Sequence, residues 1–122
     1  MNDTDAQKVP GLRPGYRLWL DAGGRVFGEG PAALLDLVES EGSLRKAAAH
    51  LGMSYNKAWR TLNASEQRLG FPLLERNETG GTGGGSRLSS PAKELLGRYH
   101  AYHSEAEQDL SRLFEKHFSD WR

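Results

Sequence analysis

The sequence contains no cysteine, which excludes disulfide bonds, thiolate metal sites and cysteine nucleophiles and is compatible with a reducing compartment. It also lacks any apolar run of roughly 18 residues, so no membrane-spanning helix is expected. The first fifteen residues include Asp3, Asp5 and Lys8 but no apolar stretch, so they do not resemble a secretory signal peptide. These absences together predict a cytoplasmic protein that does not contact a membrane.

Net charge is another property that the chain lacks, because sixteen basic residues balance sixteen acidic ones. The charges are unevenly distributed, however: residues 43–98 contain nine basic and four acidic residues, and the flanking segments are acidic by the same margin. A basic middle indicates either a local binding field for a polyanion or an ordinary solvated surface, and the charge pattern leaves both open. With 122 residues, the chain has room for one domain and an additional helix.

Residues 1–15 are polar and interrupted by proline and glycine, which predicts a disordered arm. The segments YRLWL and VF, separated by the turn residues DAGG, predict a short β-hairpin between residues 16 and 27. Gly30-Pro31 then begins a helix that ends at Glu41-Gly42. Its apolar stripe consists of Leu34, Leu35, Leu37 and Val38.

Residues 42–62 have the pattern of a helix-turn-helix. Ser43 can cap a short second helix that ends at Gly52, and Ser54 can cap a third helix that stops at Gly70. Small alanines allow the two helices to cross closely, and Gly52 accepts the left-handed turn between them. The residues predicted to face inward are Leu44, Ala47, Ala48 and Leu51 in the second helix and Ala58, Leu62, Ser65 and Leu69 in the third.

A second hairpin is predicted after the third helix, with strands at residues 73–76 and 87–89 around the glycine-rich residues 80–85. A wing with a glycine tip is favoured over a plain linker because a strand-like segment flanks each side. Ser90-Pro91 then begins a long helix. The predicted fold is mainly α with a small β component: a winged helix-turn-helix at residues 16–90 with an N-terminal hairpin, and a C-terminal dimerisation helix at residues 91–122.

The long helix carries a longer apolar stripe than a small domain can cover, which favours pairing with a second copy over folding back on its own domain. The stripe recurs at spacings of three and four residues and also includes His117. The residues predicted to form the dimer interface are Leu95, Tyr99, Tyr102, Ala106, Leu110, Leu113, Phe114 and Phe118.

Three segments carry a resemblance to a known family: GMSYNKAW at residues 52–59, Glu75-Arg76, and TGGTGGGS at residues 79–86. They resemble the N-terminal DNA-binding domain of the ModE family of molybdate-responsive transcription regulators, and the helix-turn-helix alone resembles LysR-type regulators. The resemblance implies a winged-helix homodimer that binds a palindromic operator. Full-length family members continue into a molybdate-binding domain, whereas this sequence stops at Arg122, so we expect neither molybdate binding by this chain nor a cofactor.

Double-stranded DNA is the predicted partner, and the third helix is predicted to read it. Asn56 is suited to an adenine edge in the major groove, and Arg60 to a guanine edge. The rings of Tyr55 and Trp59 can contact thymine methyl groups or sugars. For Trp59, the alternative is that it packs within the fold. Other side chains would hold phosphates without reading sequence. The predicted DNA-binding residues are Ser43, Arg45, Lys46, Ser54, Tyr55, Asn56, Lys57, Trp59, Arg60, Thr82 and Arg87.

Other chemistries are less well supported by the sequence. No lysine follows the glycine-rich loop, so it does not have the signature of a nucleotide-binding loop. His100, His103 and Glu107 have spacing that could hold a metal on a helix, but no second ligand pair is evident, so no metal site and no enzymatic activity are predicted. Two alternatives remain: a protein–protein adaptor that retains the fold, and an oxyanion-responsive sensor that acts with a separate ligand domain.

Overall fold

The computed structural model describes residues 7–76 and 85–122. Two short strands, β1 (Trp19–Asp21) and β2 (Arg25–Gly28), precede three helices, α1 (Glu29–Glu41), α2 (Leu44–His50) and α3 (Tyr55–Leu69). Strands β3 (Leu74–Arg76) and β4 (Ser86–Leu88) follow, and then the long helix α4 (Ser90–Phe118), which ends in a 3-10 turn (Ser119–Trp121). This order confirms the predicted fold class.

The helix ends form where the local rules predict them. Ser43 Oγ accepts a hydrogen bond from the Lys46 N–H at 3.1 Å, and Ser54 Oγ accepts one from the Lys57 N–H at 3.0 Å. Each such cap typically stabilises a helix by about 1 kcal/mol. Gly52 has a φ of 69°, the left-handed conformation that permits the tight turn between α2 and α3.

Both predicted hairpins are present as antiparallel pairs. β1 pairs with β2 with a bulge between Leu20 and Asp21, and β3 pairs with β4 in a register that places Glu75 opposite Arg87. The predicted glycine tip, residues 80–85, lies outside the described residues except for Gly85. The strands that flank the tip are therefore confirmed.

The chain divides into two compact units. The first, here called the core unit, is Leu18–Tyr99 and contains every buried side chain among the described residues. Phe27 packs edge-on against Tyr99 with ring centroids 5.3 Å apart, and the Tyr99 hydroxyl donates a hydrogen bond to the Leu18 carbonyl at 2.8 Å. The hydrophobic core consists of Val26, Phe27, Ala32, Leu34, Leu35, Val38, Leu44, Ala47, Ala48, Ala58, Leu62, Leu73, Leu88, Ala92, Leu96 and Tyr99.

Two of the predicted side-chain positions differ in the structure. Leu51 was expected to face inward, but it is 40% exposed because α2 ends at His50 and the turn rotates the next residue out of the helical periodicity. Tyr99 was expected in the dimer interface, but it is 3% exposed and completes the core of its own unit. At the start of α4, Ser89 is the capping residue: its Oγ accepts from the Ala92 N–H at 3.2 Å and donates to the Pro72 carbonyl at 2.6 Å.

The second unit, here called the terminal unit, comprises residues 7–17 and 100–122 among those described. Residues 7–15 have no regular secondary structure, yet they differ from the predicted disordered arm. The Val9 N–H donates to the Trp121 carbonyl at 2.6 Å, and Lys8 Nζ donates to the Asp120 carbonyl at 2.7 Å. Prolines and glycines exclude helix and strand here, but they do not prevent packing on α4.

Candidate nucleic-acid interface

The helix-turn-helix is held rigidly by its smallest side chains. Ala47, Ala48 and Ala58 are at most 1% exposed, which allows α2 and α3 to approach closely. The Met53 N–H donates to the Ala48 carbonyl at 3.0 Å and so closes the turn before Ser54 begins α3. The start of α3 is therefore fixed relative to α2 by backbone hydrogen bonds and packing.

One face of α3 is polar and open to solvent. Ala58, Leu62 and Ser65 are buried, and at about 100° per residue the opposite side of the helix carries Asn56 and Arg60. Both side chains are exposed. An amide and a guanidinium one turn apart can each form two hydrogen bonds with a base edge in the major groove.

Two aromatic residues lie on the flank of α3. Tyr55 is 38% exposed and Trp59 is 41% exposed, so Trp59 is not buried in the core. Both line a cavity of about 160 Å³ together with Leu44, Leu62, Asn63, Glu66, Pro72, Leu74 and Ser86. The Arg45 guanidinium lies over the Tyr55 ring at 4.4 Å, a contact that holds this cation of α2 beside the start of α3.

The basic residues of α2, α3 and β4 differ in whether they form ion pairs. In the part of the chain that the structure describes, no ion pair involves Arg45, Lys46, Lys57 or Arg60. Arg87 differs, because its Nε lies 3.4 Å from Glu75 Oε1 across the hairpin. Both partners are more than half exposed, so this pair contributes at most about 1 kcal/mol and a phosphate could replace it.

The wing strands are anchored to the helices by hydrogen bonds within the core unit. The Ser86 N–H donates to the Gly42 carbonyl at 3.0 Å, and the Leu73 N–H donates to Glu66 Oε2 at 2.7 Å. The Ser89 N–H also donates to the Leu73 carbonyl at 2.9 Å. These bonds fix the direction of the hairpin with respect to α3.

The structure thus brings most of the predicted DNA-binding residues to the surface of α2, α3 and β4. Ser43 is half-buried and Ser54 is exposed, and both act as helix caps. Thr82 lies outside the described residues. Gln67, seven residues after Arg60, extends the exposed face and was not predicted, although helical periodicity could have found it.

The predicted interface residues of α4 fall into both units. Leu95 is half-buried and packs against the hydrophobic core, so with Tyr99 it belongs to the core unit. In the terminal unit, Ala106, Leu110 and Phe114 are half-buried. The most exposed of the predicted interface residues in this unit are Tyr102 at 49%, Leu113 at 40% and Phe118 at 42%.

Residues 7–76 and 85–122 contain no cluster of three or more histidine, aspartate or glutamate side chains arranged to hold a metal. Within the same residues, no helix combines the length and the hydropathy that crossing a bilayer requires.

Residues 32–90 match the family described as bacterial regulatory helix-turn-helix protein, lysR family. The chain is 32% identical over 83 residues to the molybdenum transport protein ModE of Azotobacter vinelandii, covering 68% of this chain and 31% of that protein. It is 38% identical over 78 residues to the transcriptional regulator ModE of Haemophilus influenzae, covering 57% of this chain and 31% of that protein. The chain therefore spans about a third of the length of these relatives.

Solved structures with a similar fold include the crystal structure of the complex between the CbnR DBD and DNA. It has a TM-score of 0.55 and 25% identity, and the match covers 69% of this chain and 92% of that chain. Full-length CbnR complexed with its target DNA has a TM-score of 0.56 and 24% identity, with 71% of this chain and 29% of that chain covered, and supports the fold alone. Fold, sequence relatives and family match agree: the chain carries a ModE-like helix-turn-helix domain of the LysR type.

Proposed function

We propose that this chain is a DNA-binding transcription regulator that recognises a specific operator through α3. The observation that carries the proposal is the open face of α3, where Asn56 and Arg60 stand opposite the buried side of a rigidly held helix. The unpaired basic residues of α2 and α3 supply contacts to phosphates. The solved complex of the CbnR DBD with DNA supports the same use of the fold.

We further propose that the regulator acts as a homodimer on a palindromic operator. The support is the apolar face of α4, where Tyr102, Leu113 and Phe118 are each at least 40% exposed. A two-fold dimer would present two copies of α3 to half-sites about 34 Å apart, or a multiple of one DNA turn. The proposed action is binding rather than catalysis, and it takes place in the cytoplasm.

The test begins with selection of binding sites from random DNA duplexes at two salt concentrations. On the selected site, Arg60→Ala should weaken binding by about 1–3 kcal/mol, roughly 5- to 150-fold, and relax the preference for one base. Arg112→Ala is the matched control, since it removes an exposed positive charge from α4, where Arg112 pairs with Asp109 at 3.3 Å. That control should bind the same site within about twofold.

Two results would contradict the proposal. If random duplexes yield no enriched sequence at either salt concentration, the chain does not read DNA, and an adaptor that uses the fold for protein contacts becomes the better explanation. If Arg60→Ala binds as tightly and as selectively as the unchanged chain, α3 is not the reading element. Circular dichroism of both variants shows whether the fold has been preserved.

A further inference from the structure

The terminal unit has no interior of its own. Among its described residues, 7–17 and 100–122, no side chain is buried. It nevertheless has an open apolar groove of about 380 Å³. One wall of the groove comes from residues 7–17, here called the N-terminal segment, and the other wall comes from α4. The lining residues are Leu12, Arg13, Pro14, Leu110, Leu113, Phe114, His117 and Phe118.

The N-terminal segment is attached to α4 along its length. Near the start of this segment, Val9 and Lys8 donate hydrogen bonds to carbonyls of the 3-10 turn that follows α4, as described above. Its inner end contacts α4 through Tyr16, whose ring centroid lies 5.5 Å from that of His103. Because both ends are held, Leu12 and Pro14 between them form a continuous wall rather than a loose tail.

We infer that residues 12–14 form part of the dimer surface, and that a second copy of this chain occupies the groove between them and α4. This inference rests on the proposed homodimer and specifies which residues complete its interface. Arg13 and Pro14 place the N-terminal segment beside four of the α4 residues already assigned to dimerisation, Leu110, Leu113, Phe114 and Phe118.

The size of α4 supports a contribution from this segment. His100 to Phe118 spans about 28 Å at 1.5 Å per residue and is about 10 Å wide, a footprint of about 300 Å². A standard specific interface buries about 800 Å² of accessible surface on each partner. One face of this part of α4 falls short of that area even if the corrugation of its side chains doubles the footprint, and the adjoining segment widens it.

Charge favours a second copy over a charged partner. The described residues of the terminal unit include six basic and five acidic side chains, so they are nearly neutral. Two copies therefore meet without net repulsion, whereas a polyanion or an anionic membrane would gain no net attraction. The exposed apolar side chains Val9, Leu113, Phe118 and Trp121 would leave water in such a pairing.

The test uses a matched pair of substitutions in the full chain. Leu12→Asp introduces a carboxylate into the groove, and Gly15→Asp introduces the same charge at a position with no atom within 4 Å of an added Cβ. Sedimentation equilibrium measures the dimer dissociation constant. We expect Leu12→Asp and Leu113→Asp each to raise it about tenfold or more, and Gly15→Asp to change it less than about threefold.

Different failures have different meanings. If the unchanged chain is monomeric at all concentrations, the proposed homodimer itself is wrong. If Leu113→Asp dissociates the dimer and Leu12→Asp does not, the homodimer stands and the role of residues 12–14 is wrong. If Gly15→Asp weakens the dimer as much as Leu12→Asp, charge rather than the groove is responsible, and the inference is again wrong.

A second measurement does not depend on a destabilising charge. The photocrosslinker p-benzoylphenylalanine is placed at Arg13, and equal amounts of ¹⁴N- and ¹⁵N-labelled chains are unfolded together in urea and refolded before irradiation, so that mixed dimers form. Crosslinked peptides that join one label to the other, between position 13 and residues 110–118, support the inference. Crosslinks that join only identical labels would overturn it, because the groove would then contact nothing but its own chain.

Discussion

The two units of the molecule differ in burial far more than in sequence pattern. Tyr99 and Tyr102 stand one turn apart on α4, yet Tyr99 is 3% exposed and Tyr102 is 49% exposed. The same spacing of apolar residues continues on both sides of this boundary. An amphipathic stripe therefore shows that a helix has a face to bury, but it does not show whether the chain itself buries that face.

The sharpest contrast between the units is expected from removing one phenylalanine in each. Phe27→Ala empties part of the core and should lower the free energy of unfolding by about 3–5 kcal/mol. Phe118→Ala removes a side chain that is 42% exposed, and should cost less than about 1 kcal/mol at a concentration where the chain is monomeric. Urea denaturation followed by circular dichroism measures both.

Equal costs for the two variants would erase the distinction between the units. A loss at Phe118 that grows with protein concentration would instead show that a second copy covers this residue, because the free energy of association then adds to the stability.

A pair of glycines extends the comparison to the backbone. Gly24 has a φ of 143°, and a Cβ there would meet the Arg68 guanidinium, so Gly24→Ala should destabilise the core unit by about 1 kcal/mol or more. Gly15 lies outside the left-handed region with open space around it, and Gly15→Ala should be neutral or stabilise by up to about 1 kcal/mol. Thermal denaturation of both variants at one concentration tests this difference in sign.

The smallest effects are expected from the surface ion pairs, which should not distinguish the units. In the core unit, Arg98 Nη2 lies 2.9 Å from Glu94 Oε2. In the terminal unit, Arg112 Nη2 lies 3.3 Å from Asp109 Oδ1. Arg98→Ala and Arg112→Ala should each cost about 0.3–0.5 kcal/mol at low salt, and less at high salt. A cost above about 1 kcal/mol in either variant, measured by urea denaturation, would show that its pair is part of a larger network.

The sequence predicts the local features of the candidate site well. Ser43 and Ser54 cap their helices and Gly52 makes the turn, because each outcome depends on hydrogen bonds and backbone angles within a few residues. Asn56 and Arg60 are exposed as expected, since one face of α3 follows directly from the positions of its apolar residues. The cavity beside Trp59 was not predicted, because it is bounded by strands that are distant in sequence.

Residue pattern alone therefore determined the order of the helices, the caps at Ser43 and Ser54, the two hairpins and the polar face of α3. Only the tertiary structure decided that Tyr99 is in the core and that residues 7–17 lie against the C-terminal half of α4 and the turn that follows it. The physical reason is the range of the interactions. Helix caps, tight turns and helical periodicity depend on residues that are close together in the sequence. Burial depends on which distant segment of the chain covers a side chain.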